Sequence, residues 1–146
     1  MLDLGLAIAH HIAAFGLVAL LAMEGLALKD GVVDPVRLAK IDGVYGLVAG
    51  LVIAIGVCRV IWGGKGWAYY AENPFFWSKV GLFLAIGLLS IGPTLLILRW
   101  RKAAAGAAPF TPPAVELKRA RQWVGLEALL LLPLLACAAA MARYPF

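Results

Sequence analysis

The sequence predicts an all-α polytopic membrane protein, one domain over residues 1–146 built as a bundle of four transmembrane helices. Three observations carry this expectation. Of its 146 residues, 64% are hydrophobic and 14% charged, against roughly 45–50% and about 25% in soluble chains. The apolar residues gather in four runs, about 4–28, 43–62, 75–98 and 124–142, each close to the ~20 residues that cross a bilayer. The basic residues lie mostly between these runs, so the net charge of +5 follows the positive-inside rule and gives no reason to expect nucleic acid as a partner. The lipid bilayer is the expected surroundings.

The first run, Leu4 to Leu28, reaches about 37 Å at 1.5 Å per residue, more than the roughly 30 Å of hydrocarbon. It lacks a basic leader, begins beside Asp3 and is too long for a signal-peptide core, so it reads as a retained span. It also carries His10, His11 and Glu24. Ionisable groups at that depth are costly unless they face protein or water, which makes them functional candidates. At ~100° per residue Asp3, His10, Leu17 and Glu24 share a stripe within about 60°, while His11 lies about 100° away. His10 is therefore the expected inward histidine and His11 the reserve.

Asp34-Pro35 reads as an N-cap followed by proline at the first helical position, so the second helix starts before it enters the membrane near Asp42. Gly43, Gly46, Ala49 and Gly50 offer a face for close approach of a neighbouring helix, and Arg59 comes near the far end. Asn73-Pro74 repeats the cap signal for the third span. Trp62, Trp67, Tyr69, Tyr70 and Trp77 crowd this end as an interfacial belt does. The third span holds Lys79 early and Pro93 late; the proline frees a carbonyl that Ser90 or Thr94 is expected to help satisfy. Thr111-Pro112 again reads as a cap, and the fourth span carries Glu127 and Pro133. Cys58 and Cys137 lie in apolar runs without metal-ligand spacing and read as small packing residues.

Lys29, Arg37 and Lys40 fall in the first connection, and six basic residues between Arg99 and Arg121 in the third. The second holds Lys65, with Arg59 at its margin. The first and third connections are thus expected on the cytoplasmic side of a bacterial inner membrane and both termini in the periplasm. That orientation sorts the ionisable residues by depth. His10 lies about 9–10 Å below the outer end of its helix and Lys79 about 6–7 Å below its own, so His10, His11, Arg59 and Lys79 are expected to share an outer layer. Glu24, Asp42, Tyr45 and Glu127 form a second, acidic layer across the bundle, expected within reach of Arg99 or Arg121. The outer set suits an anionic ligand bearing a metal or requiring proton transfer: an imidazole can ligate the iron of a haem while Arg59 and Lys79 neutralise its propionates. Each of these cations also has a plain alternative, snorkelling to the interface. Met141 stands at the depth of a second axial ligand.

The sequence resembles an uncharacterised family of small four-helix bacterial membrane proteins, known as a domain of unknown function. The resemblance rests on His10 followed fourteen residues later by Glu24, on Asp42-Gly43-Tyr45-Gly46, and on KGWAYYAENPFFWSKVGLF with the later LLSIGPT. More distantly it resembles the bacterial integral-membrane protoporphyrinogen oxidases and the copper-resistance D proteins. Resemblance to the oxidases implies a haem b cofactor and a functional pair. The pair is an early histidine, matched by His10 or by His11 with Ile12, and a lysine after an aromatic, matched by Lys79 after Phe76-Trp77. Glu127 before Pro133 corresponds loosely to a glutamate of a later helix. The doubled histidine, the shorter first connection and the opening of the second helix differ from that family.

Three functions follow as expectations. The first is a haem-dependent oxidoreductase in which His10 is the metal ligand, His10 and Lys79 are the catalytic pair, and electrons pass from a porphyrin substrate through haem to a quinone. The second is copper transport or handling, for which soft ligands are sparse: Met23 and Met141 lie in the spans without an MxxM cluster. The third is a non-catalytic assembly subunit, or a homo-oligomer, using the glycine face of the second helix. No GxSxG, P-loop, HExxH or Rossmann fingerprint occurs.

Overall fold

A computed structural model describes residues 2–143. Four long helices and one short one account for most of it: α1 (Leu2–Ala27), α2 (Pro35–Trp62), α3 (Gly66–Ala71), α4 (Pro74–Ala104) and α5 (Ala114–Arg143). The four long helices are each long and apolar enough to cross a membrane. They form a ring in which α1 packs on α2, α2 on α4, α4 on α5 and α5 back on α1, with the α1–α2 and α4–α5 pairs the most extensive. Short connections between successive spans make the order up-down-up-down.

Two of the three expected caps are formed. Asp34 accepts hydrogen bonds from the backbone N–H groups of Val36 and Arg37, both at 3.0 Å, and Asn73 accepts from Phe75 and Phe76 at 3.0 and 3.3 Å. Asp34→Ala should therefore lower the stability of α2 by about 1 kcal/mol, read as a lower melting temperature in detergent with the α-helical spectrum retained. The third cap differs from expectation. α5 starts at Ala114 rather than directly after Thr111, because consecutive prolines hold Thr111 and Pro112 out of the helical region; the Pro113 carbonyl accepts the first bond, from Leu117.

α4 runs unbroken through Pro93, and neither neighbouring hydroxyl turns to the Leu89 carbonyl that the proline leaves free. Ser90 donates to the Gly87 carbonyl at 2.8 Å, and Thr94 donates across the bundle to Asp42 at 2.7 Å. The expectation that they repair the backbone is thus replaced by a link between α4 and α2. At the end carrying the first and third connections, Val33 and Phe110 exchange backbone hydrogen bonds at 2.9 Å. Arg121 closes the end of α1 by donating to the carbonyls of Leu28 and Lys29 at 2.8 and 2.7 Å, as cations do at helix C-termini.

The core is a column of Leu17, Leu21, Leu38, Val52, Ile97 and Trp100 among others. Around it the surface is apolar: Ile12, Phe15, Leu47, Leu88 and Leu132 are more than half exposed. At most 22% of the apolar window of any span is buried inside the bundle, so the outer face of every helix needs lipid. The glycine face of α2 is part of that outer face. A Cβ added at Gly43, Gly46 or Gly50 would meet nothing within 4 Å, so these residues serve no helix contact inside the chain.

Candidate functional site

The site begins with a missing side chain. Gly56 on α2 lets the ring of His10 lie against the helix, where an added Cβ would come within 3.5 Å of Cε1. The Val52 carbonyl, one turn earlier, faces the same ring. His10 Nδ1 is buried and has no hydrogen-bond partner among the described residues. Lys79 on α4 and Arg59 on α2 are close enough to act on the imidazole electrostatically. All three line one cavity of about 480 Å³, with Tyr70, Phe76 and Met141 among its walls.

The position on the wheel is resolved by this cavity. His11 points outward, is exposed, and donates from Nδ1 to the Ala7 carbonyl one turn back at 2.7 Å; it does not line the cavity. The structure therefore brings together His10, Arg59 and Lys79 of the expected outer set and leaves His11 aside. Neither cation has a carboxylate partner among the described residues. The ion pair formed among the described residues is Arg99 with Glu116, at the opposite end of the bundle. Arg59 Nε is buried and unbonded. Two cations and an imidazole thus line one cleft with aromatic and aliphatic walls, a lining whose chemistry is suited to an anion with a large apolar body.

The aromatic end does more than line an interface. Trp62, Trp67 and Trp77 are over half exposed, as a belt requires, but Tyr70 is buried, and Trp67, Tyr70 and Phe76 face the cavity. The short helix α3, not expected from the glycine-rich connection, places Trp67 and Tyr70 there, and the first turn of α4 places Phe76. Tyr69 fixes its position by donating to the Met141 carbonyl at 2.8 Å and accepting from Lys65 at 3.0 Å, so α3 is tied to the end of α5. Gly56, Tyr70 and Phe76 were not among the residues singled out for the site. Gly56 has a sequence signal, since it lies one turn before Arg59's neighbour Val60 on the helix that faces His10, but glycines are common in α2.

The acidic layer also assembles. Glu24, Asp42, Tyr45 and Glu127 are all buried. The Tyr45 hydroxyl donates to Glu127 Oε2 at 3.2 Å, crossing the ring from α2 to α5, and Thr94 joins through Asp42. The expected pairing with Arg99 or Arg121 is not made. Arg99 is held by Glu116 at 2.8 Å, together with the Trp100 indole N–H at 2.7 Å, and Arg121 is spent on backbone carbonyls. Along α1, α2, α4 and α5 the two layers are separated by fourteen to seventeen residues, or about 21–26 Å of helix. Among the described residues no three His, Cys, Asp or Glu side chains are grouped so as to hold a metal ion; Cys58 and Cys137 are free thiols.

No curated protein and no solved structure matches the chain. A family model described as "Predicted membrane protein (DUF2214)" matches residues 2–144, which is nearly the whole length. The four-span helical bundle with its buried polar layers therefore belongs to a member of this membrane-protein family.

Proposed function

We propose that the protein is a haem-b-binding redox protein of the bacterial inner membrane. In this reading His10 is the iron ligand, and Arg59 and Lys79 hold the two propionates. The observation that carries the proposal is the combination of an unbonded imidazole nitrogen and two unpaired cations on the wall of one apolar cavity. A protein that left these groups without a ligand would keep desolvated charge unpaired; a planar, apolar dianion with a ligand-accepting centre meets each of them. The cavity's ~480 Å³ lies within the roughly 300–1,000 Å³ of small-molecule sites. Bound haem would supply one-electron chemistry, which suits oxidation of a porphyrin-type substrate with a membrane quinone as acceptor. The chain's own part is to orient the carboxylates, hold the imidazole ring beside the Val52 carbonyl, and keep bulk water from the cavity with Trp67 and Tyr70. The distribution of basic residues supports an orientation with both termini in the periplasm; in that orientation the cavity lies in the outer leaflet.

Titration of haem into the protein reconstituted in lipid tests this. A saturable Soret band at one haem per chain is the expected outcome, and the spectrum of free haem in lipid contradicts the proposal. Lys79→Met adds a separate expectation. It removes a cation from a half-buried position, so folding should be retained or improved. Loss of one charge-assisted hydrogen bond should weaken haem binding by about 10- to 100-fold. Loss of folded protein instead would identify Lys79 as a structural residue.

A further inference from the structure

The acidic layer is not used by the ligand cavity, and its chemistry differs. Glu24, Asp42 and Glu127 enter from α1, α2 and α5 with relative exposures of 2%, 8% and 1%. Glu24 faces both other carboxyls. Tyr45 and Thr94 each supply one hydroxyl, to Glu127 and Asp42 respectively. Two acceptors remain over: Glu24 Oε1 and Glu127 Oε1 are buried and have no hydrogen-bond partner among the described residues.

Among the described residues the surroundings offer no free positive charge. Around Glu24 and Glu127, α2 presents Asp42 and Tyr45, and α4 presents Thr94. α5 contributes Arg121, already bonded to the carbonyls of Leu28 and Lys29, and Arg99 of α4 is bonded to Glu116. Three carboxylates without a counter-ion are strongly disfavoured at membrane depth, and like charges in one site cannot all stay ionised. A metal cation or protons must balance them. A metal needs several ligands converging on one point, and no such grouping is present among the described residues. A proton needs one free carboxyl oxygen, and two are available.

We infer that this layer is a proton-binding site, with Glu24 and Glu127 each carrying a proton at neutral pH. Binding is a simple transfer: a carboxylate oxygen forms an O–H bond with a proton from hydronium, releasing water, and the reverse step returns it. The site stands about 21 Å along α1 from His10, so the protein holds a cation-lined cavity in one leaflet and a proton store in the other.

Infrared spectroscopy of the full chain in lipid tests this directly. The expected result at neutral pH is a C=O stretching band of protonated carboxylic acid that shifts in deuterium oxide. Its intensity falls in Glu24→Gln and in Glu127→Gln, and it is indifferent to added sodium or calcium. Glutamine copies the shape and neutrality of the protonated acid, so both variants should fold. A band absent at neutral pH, erased by either cation, or unchanged in both variants overturns the inference. So does failure of both glutamine variants to fold, because it would mean that ionised carboxylates are what the bundle requires.

Discussion

Replacing His10 with alanine is expected to abolish haem binding in the reconstituted protein while leaving the four-span bundle folded. The ring is partly buried and lies against α2 at Gly56, so its removal opens space at the cavity wall rather than in the Leu17–Leu21–Ile97 column of the core. The loss of binding should exceed the effect of Lys79→Met. Groups that merely orient a metal ligand are worth about 10- to 100-fold in affinity, and the ligand itself is worth more. His11→Ala is the matched control. His11 is exposed and hydrogen-bonds within its own helix, so this variant should bind haem as the parent does. Arg59 and Lys79 variants should weaken binding without changing the iron's ligand, which separates anchoring of carboxylates from ligation. Equal loss from His10→Ala and His11→Ala would remove the distinction on which the site is drawn.

Gly92→Val should strongly damage the packing of α4 on α5. Trp123 on α5 packs its ring against α4 at this glycine. An added Cβ would meet the indole atoms Cε3, Cζ3 and Cδ2, the last at 2.7 Å. An indole cannot bend away as a flexible chain end can, and Pro93 follows immediately, so α4 and α5 must move apart. Overpacking of this kind costs about 1–3 kcal/mol, occasionally more, and here it falls on one of the two most extensive helix pairs. A large drop in melting temperature in detergent is expected. Trp123→Ala in the same chain should recover much of it, because the two substitutions act on one contact and are not additive. If the double variant is as unstable as the sum of the singles, the contact is not the cause.

The sequence makes the long elements plain because the signals are local and redundant. Each of the four spans is a long apolar run, and Asp34-Pro35 and Asn73-Pro74 start helices at the residues where the structure begins them. The same reasoning fails at Thr111, where a second proline shifts the start. Depth within the membrane follows from residue spacing alone, which is why His10, Arg59 and Lys79 could be expected in one layer and Glu24, Asp42, Tyr45 and Glu127 in another. Partners are a different matter. Whether Arg121 meets Glu127 or the end of α1 depends on the rotation of α5 against α1, and spacing is silent on that. The role of Thr94 was hidden for a related reason: beside Pro93 a hydroxyl has an obvious backbone acceptor, and the competing acceptor, Asp42, is fifty-two residues away. The short helix α3 rests on Tyr69 and its bonds to Lys65 and Met141, a tertiary arrangement with no periodic pattern to announce it.

In the proposed function the imidazole of His10 on α1, and no other, meets a ligand held by the cations of α2 and α4. Resonance Raman spectroscopy of the ferrous haem complex, made with isotope-labelled histidine, reports the iron–imidazole bond itself. An isotope-sensitive iron–imidazole mode is predicted in the parent and in His11→Ala, and none in His10→Ala. A mode that persists in His10→Ala, or its absence from the haem-loaded parent, would contradict the account.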